Sequence, residues 1–273
     1  MRVSFAGAAF IVAVAVASTA SGVRAAVVAP TLNVLVFGGS ATARINGIPF
    51  AQERQGGAVV ERLPGGGSST NESPVTLAST VYQFFCRNGD NEIGVDADIT
   101  APHGSVEMIL QGPQGPLFDQ KLTKSGSIAH VVTLSGLPAW NWTAADAVTD
   151  DAPGLLDAVA QLQQAFSAKD AAQVVALEAR FFDNLRMAGT QIPSGAALEQ
   201  VFADHLKSES LAPLPGAADL TVKSYAGGRI FSVTDASGHA PVLLRDPHSP
   251  EHPDEFGKFW SRIEGRWYVT IEN

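Results

Sequence analysis

Apolar residues repeat along this chain in three ways, and each pattern predicts a different kind of element. Between Phe5 and Ala17 the run FAGAAFIVAVAVA is apolar throughout. From Thr31 to about Trp142, apolar and polar residues alternate over short stretches, which is the period of a half-buried strand. The candidates are TLNVLVFGG, ATARINGIPFAQE, GAVVERL, VTLASTVYQFFCR, GSVEMILQ, PLFDQKL and SIAHVVTL. In NGDNEIGVDADIT, Ile93, Val95, Ala97 and Ile99 fall on one face and Asp96 and Asp98 on the other. Asn46-Gly47 is a tight-hairpin dipeptide, and PGGGSSTNESP (64–74) is a low-complexity loop. About seven to nine short strands, with turns roughly every 8 to 12 residues, predict an antiparallel β-sandwich.

After residue 144 the period lengthens to that of a helix. Leu155, Leu156, Val159, Leu162 and Phe166 form one stripe. After the break SAKD, Val174, Leu177, Phe181 and Leu185 form a second, which Gly189 ends. Ser194 is placed to cap a third helix, GAALEQVFADHLKSESL. Beyond APLPG the strand period returns. DLTVKSYAGGRIFSVTD is a hairpin around Gly227-Gly228, HAPVLLRD is a further strand, and EFGKFWSRIEGRWYVTIEN is a hairpin turning at Glu264-Gly265. Helices followed by an antiparallel meander predict an α+β fold. The expected division is a β-sandwich over 26–142 and an α+β domain over 143–273, with helices within 153–207 and strands within 219–272.

The first apolar run has the layout of a secretory signal peptide. Arg2 precedes it, and the small-residue segment STASGVRAA follows, with cleavage expected after Ala20, Ala25 or Ala26. At about 13 residues it is shorter than the roughly 20 needed to span a bilayer. The expectation is a soluble periplasmic or secreted protein, with no membrane segment after cleavage of residues 1–25. Hydrophobic residues make up 45% of the chain and charged residues 16%, enough apolar material for a packed core. A net charge of −9 disfavours nucleic acid and anionic membrane surfaces as partners. Cys86 is the single cysteine, so no internal disulfide forms. In VYQFFCR it reads as a buried small hydrophobe on a strand face shared with Tyr82 and Phe84.

Two stretches in each half carry a family resemblance. ARINGIPF and RNGDNEIGVDADI mark the first half, and the second of these is similar to the G-x-N-x-I-x-V turn-and-strand of galactose-binding-like and related jelly-roll modules. The resemblance covers about a hundred residues. It implies a β-sandwich that binds sugars or other proteins. AFSAKDAAQVVALEA and FWSRIEGRWYVTIEN, with G-R-W before the last strand, resemble the helix pair and closing hairpin of NTF2-like or cystatin-like α+β domains. Catalytic members of that family place an Asp, His or Tyr in a cone-shaped pocket. No residue here matches that placement.

DPHSPEHPDE (246–255) is the densest group of metal-ligand types. His248 and His252 have the spacing of zinc ligands on one helical face. Pro250 and Pro253 oppose a helix through them. Either an extended loop gathers His248, His252, Asp254 and Glu255 around a metal, or the segment is a solvated connection between two strands. Asp90, Asn91, Glu92, Asp96 and Asp98 are hard oxygen donors suited to calcium, but their spacing is not that of an EF-hand, and a turn plus the wet face of a strand accounts for them. Tyr225, Phe231, Trp260 and Trp267 either line a pocket or form the core of the last sheet. Trp140 and Trp142 stand where the halves meet, either packing the domains together or exposed as a sugar platform. His130 reads as a core or interface histidine and His205 as exposed. With no nucleophile elbow, P-loop or G-x-G-x-x-G, no cofactor is expected. The expected function is non-catalytic binding of another protein or a small ligand, in an accessory or inhibitor role. A hydrolytic or small-molecule pocket in the α+β domain and a carbohydrate-binding module are the alternatives.

Overall fold

The computed structural model describes residues 30–54, 60–62, 68–70, 75–79, 81–112, 115–247 and 253–272. The expected export segment, His248 and His252 lie outside them. The described residues fall into two compact units, which divide between Leu137 and Pro138.

The first unit is built from β1 (Thr31–Phe37), β2 (Gly39–Ile45), β3 (Ile48–Arg54), β4 (Val60–Arg62), β5 (Ser68–Thr70), β6 (Val75–Ser79), β7 (Gly89–Ile99), β8 (Ser105–Gly112), β9 (Gly115–Leu122) and β10 (Gly126–Leu134). Two four-stranded antiparallel sheets form, in the orders β6-β1-β8-β9 and β10-β7-β2-β3, with β4-β5 as a separate pair. Period-2 alternation supplies the core. Leu32, Val34, Val36, Val106, Met108 and Leu110 of one sheet are buried, as are Ala41, Ala43, Ile45, Ile93, Val95 and Ala97 of the other. The chain crosses between sheets at Gly38-Gly39, where a Cβ on Gly39 would lie 2.3 Å from the Asp98 carbonyl oxygen. The β2–β3 turn has φ of 51° at Asn46 and 79° at Gly47, the two positive values of a type I′ hairpin.

One expected strand ends early. Val81–Phe85 is a 3₁₀ turn, and Cys86 N–H donates to Gln83 O at 3.0 Å. Phe84, Phe85 and Cys86 are consecutive and all buried, which strand alternation would not allow. Burial pushes the Cys86 thiol up to about 12, the behaviour of an inert core cysteine.

The second unit opens with α1 (Leu155–Ala168), α2 (Ala171–Leu177), α3 (Ala179–Met187) and α4 (Ala196–Ser208). Strands β11 (Ser210–Leu211), β12 (Thr221–Tyr225), β13 (Ile230–Thr234), β14 (Val242–Arg245), β15 (Asp254–Phe256), β16 (Phe259–Ile263) and β17 (Arg266–Ile271) follow. They make two antiparallel sheets, β12-β13-β16-β17 and β11-β14-β15. The whole chain is therefore α+β. No described helix is long and apolar enough to cross a membrane.

The second apolar stripe forms two helices rather than one, interrupted at Glu178 (φ −95°, ψ 6°). Glu178 N–H still donates to Val174 O and Phe182 N–H to Glu178 O, so the hydrogen-bond ladder continues through the irregularity. At α4 the N-cap is Gly195, which has no side chain to offer, rather than Ser194. Asp170 does cap α2, its side chain accepting from Gln173 N–H at 3.0 Å. Asp170→Ala should therefore cost about 1 kcal/mol. A lower urea midpoint followed by tryptophan emission checks this, since all four tryptophans lie after residue 137.

Candidate metal centre

The three-stranded sheet brings together groups that are far apart in sequence. Ser210 pairs with Arg245 and Leu211 with Leu244. Leu244 also pairs with Asp254, and Val242 with Phe256. Because alternate residues of a strand share a face, Glu209, Asp246, Asp254 and Phe256 are placed on one side of this sheet. Glu209 follows α4 in extended backbone (φ −111°, ψ 160°), which carries it onto that side. Helical spacing supplies the other half: Phe202 and Leu206 are buried along α4, and His205 stands between them on the same stripe. The His205 ring packs edge-on to Phe202 and Phe256, with centroids 6.4 and 6.2 Å away.

His205 Nδ1 lies 3.2 Å from Glu209 Oε1, and Nε2 lies 3.5 Å from Asp254 Oδ2. One ligand atom from each of the three residues lies within 4.8 Å of the other two. Their side chains are only 8–13% exposed. Burial pushes Glu209 up to about 7, and the carboxylates of Asp254 and Asp246 add to the shift. Burial also lowers His205, with Asp246 acting against it. Both members of the 3.2 Å contact are thus driven toward their neutral forms, and it is closer to a neutral hydrogen bond than to an ion pair. Glu209 Oε2 is buried and has no hydrogen-bond partner among the described residues.

The expected metal set is thereby redrawn. Asp254 belongs to the cluster, while His248 and His252 are outside the described residues. Glu255 does not belong, because as Asp254's strand neighbour it points to the opposite face. There it accepts from Ala240 N–H at 3.1 Å and pairs with Lys258 at 3.5 Å. The expected connection between strands also contains a strand of its own, β15. His205 was expected to be exposed, but its side chain is 9% exposed. The sequence signal that places it correctly is its spacing, seven residues beyond the buried Leu198 and on the same helical stripe.

Two further carboxyls lie inside this unit. Glu178 is 1% exposed, and neither of its oxygens has a hydrogen-bond partner among the described residues. Burial, and then the Glu272 carboxylate, hold it well above the usual carboxylate range. Glu272 accepts from Gly257 N–H at 2.6 Å and Lys258 N–H at 3.5 Å. Those bonds favour its charged form, but burial outweighs them and pushes it up to about 8. Gly257 is held at φ 80°, and a Cβ there would lie 2.6 Å from Leu162 Cδ2.

The remaining candidates are structural. Asp90, Asp96 and Asp98 face hydroxyls of Thr133, Ser127 and Ser125 at 2.6, 2.7 and 3.4 Å, and Asp96 also pairs with Arg44. Asn91 is fully buried and Glu92 exposed, so these donors do not converge on one cation. Phe231, Trp260 and Trp267 are buried core, and Tyr225 is half-buried. The Trp260 indole N–H donates to Gly257 O at 2.6 Å and that of Trp267 to Pro153 O at 3.0 Å. A shallow cavity of about 160 Å³ is lined instead by Asp151–Asp157 and Val222. That is below the roughly 300–1,000 Å³ of small-molecule sites. Trp140 and Trp142 lie in the second unit at 1% and 6% exposure, which excludes a sugar platform. The 3₁₀ turn that Trp140 precedes and Trp142 belongs to (Asn141–Ala144) packs on α3 and β16. His130 is half-buried on β10 and stacks on Phe118 at 4.4 Å.

No protein-family model, curated protein or solved structure matches this chain.

Proposed function

We propose that this chain is an exported binding protein whose second unit holds a small cationic ligand at His205, Glu209 and Asp254. The buried, unpartnered Oε2 of Glu209 carries this reading. Three carboxylates, counting Asp246, act on a pocket with one imidazole, and burial intensifies their mutual repulsion. A cation removes that cost. Both ring nitrogens of His205 face carboxylates, so neither is offered to a substrate proton. This favours holding a ligand over general-base catalysis. The charged start, short apolar run and small-residue segment at the N-terminus support export.

Native mass spectrometry of the protein expressed with its full N-terminus and recovered from periplasm and medium tests both parts. The expected polypeptide mass begins after Ala20, Ala25 or Ala26. The expected spectrum carries an adduct that Glu209→Gln and Asp254→Asn lose. Bare polypeptide in the wild type, or an adduct indifferent to both substitutions, would overturn the binding site. An uncleaved intracellular chain would overturn export.

A further inference from the structure

We infer that the cation is a divalent transition-metal ion of the zinc class, held by one nitrogen of His205 and one carboxylate oxygen each from Glu209 and Asp254. This rests on the ligand-binding reading above. Zinc binds imidazole nitrogen and carboxylate oxygen at about 2.0–2.2 Å, which sets tetrahedral ligand atoms roughly 3.4 Å apart. An ion on Nδ1 would use the 3.2 Å separation from Glu209 Oε1, and an ion on Nε2 the 3.5 Å separation from Asp254 Oδ2. All three ligand atoms fall within 4.8 Å, so modest side-chain closure brings them to one ion. The donor set also discriminates. Calcium takes six to eight oxygens, and magnesium prefers oxygen and retained water, whereas an imidazole among carboxylates selects a borderline ion.

The surroundings supply what an ion site needs beyond its ligands. Glu209 is one turn from His205, so the C-terminal end of α4 sets their separation. The His205 ring is braced by Phe202 and Phe256, fixing its plane. The Glu209 oxygen without a hydrogen bond is the independent sign of a missing partner. It is on a side chain 8% exposed, in a cluster that already holds two other ligand types.

Isothermal titration of chelator-stripped full-length protein with Zn²⁺, Ca²⁺ and Mg²⁺ tests the inference. The expected result is one zinc per chain and no calcium or magnesium heat under the same conditions. His205→Ala, Glu209→Gln and Asp254→Asn should each weaken zinc roughly tenfold or more. The near-isosteric Glu209→Gln and Asp254→Asn are the decisive variants, with far-UV circular dichroism confirming their fold. Should a variant not fold, Co²⁺ added to the wild type decides: a strong visible band of a tetrahedral nitrogen–oxygen site is expected, and a weak octahedral spectrum refutes it. Zinc affinity unchanged in both variants also overturns the assignment, since the ion then sits elsewhere. If zinc gives no heat while the native spectrum carries an adduct lost in Glu209→Gln, the metal assignment fails and the cationic-ligand reading stands. If both fail, both readings fall.

Discussion

Raising the pH from about 6.5 to 8 is expected to lower the melting temperature of the second unit, on the order of 10 °C, and Glu178→Met is expected to raise it at the upper pH. The cause is the pair of carboxyls buried there. Glu272 is pushed from the ordinary 4.5 up to about 8, and Glu178 is held well above 4.5. A raised carboxyl pKa means that the folded state holds the proton more tightly than the unfolded chain. Below about pH 4.5 both states are protonated and folding carries no charge penalty. Between 4.5 and 8 unfolding releases a proton, so stability falls as pH rises, and above 8 the penalty is complete. Glu209, pushed to about 7, acts in the same direction. His205 is lowered, so its contribution is lost on acidification instead, below its ordinary 6.5. Starting at pH 6.5 leaves only a small part of the histidine's contribution within the measured window.

Glu178 is the residue to change because its oxygens have no described partner. Removing a buried unsatisfied polar group and filling the space with an apolar chain of similar shape stabilises by about 1–3 kcal/mol. Glu178→Gln should flatten the pH slope with a smaller gain, since the amide still buries polar atoms. Thermal melts followed by tryptophan emission at both pH values separate these effects. A slope that is the same in wild type and Glu178→Gln would mean that this carboxyl is not held protonated.

Glu178 also shows where reading the sequence reaches its end. The stripe of Val174, Leu177, Phe181 and Leu185 is visible as helical spacing, and Glu178 stands within its arc, four residues from Val174 and three from Phe181. In sequence it looks like a surface glutamate because nothing local reveals the strand that covers it. The hairpins are legible for the opposite reason: Asn46-Gly47 and Glu264-Gly265 encode their turns in two residues, each pair with positive φ. The α+β order follows from the change of period alone. The candidate metal cluster is only half legible. DPHSPEHPDE draws attention to Asp254 by composition, but its partners come from the end of α4, and only the register of β11, β14 and β15 brings them together. Alternation across β15 then separates Asp254 from Glu255, a distinction that composition cannot make. Strand register is a long-range property, fixed by the hydrophobic face and not by any one segment.

The same long-range logic makes Asn91 the residue whose loss should most disturb the first unit. By composition it is one of five oxygen donors in NGDNEIGVDAD. In the structure it is fully buried, and its whole side chain is bonded. Its Nδ2 donates to Arg87 O at 2.7 Å and Gly89 O at 2.9 Å. Its Oδ1 accepts from Arg87 N–H at 2.9 Å and Asn46 Nδ2 at 3.0 Å. Asn46 in turn accepts from Glu92 N–H at 3.0 Å, so the network ties the β2–β3 turn to the start of β7. Alanine removes four bonds at once, including those to the backbone of Arg87 and Gly89, which then turns to solvent. Each lost hydrogen bond is worth about 0.5–1.5 kcal/mol net and the four are not additive, so Asn91→Ala should cost about 3 kcal/mol. Asn91→Asp keeps the acceptor and loses both donors, setting a carboxylate oxygen against two carbonyls. It should be at least as damaging at neutral pH and partly rescued as the carboxyl is protonated. Urea unfolding followed by far-UV circular dichroism gives the cost, and hydrogen exchange at Arg87 and Glu92 locates it. If Asn91→Ala leaves both amides as protected as in the wild type, the network does not hold this corner of the sandwich.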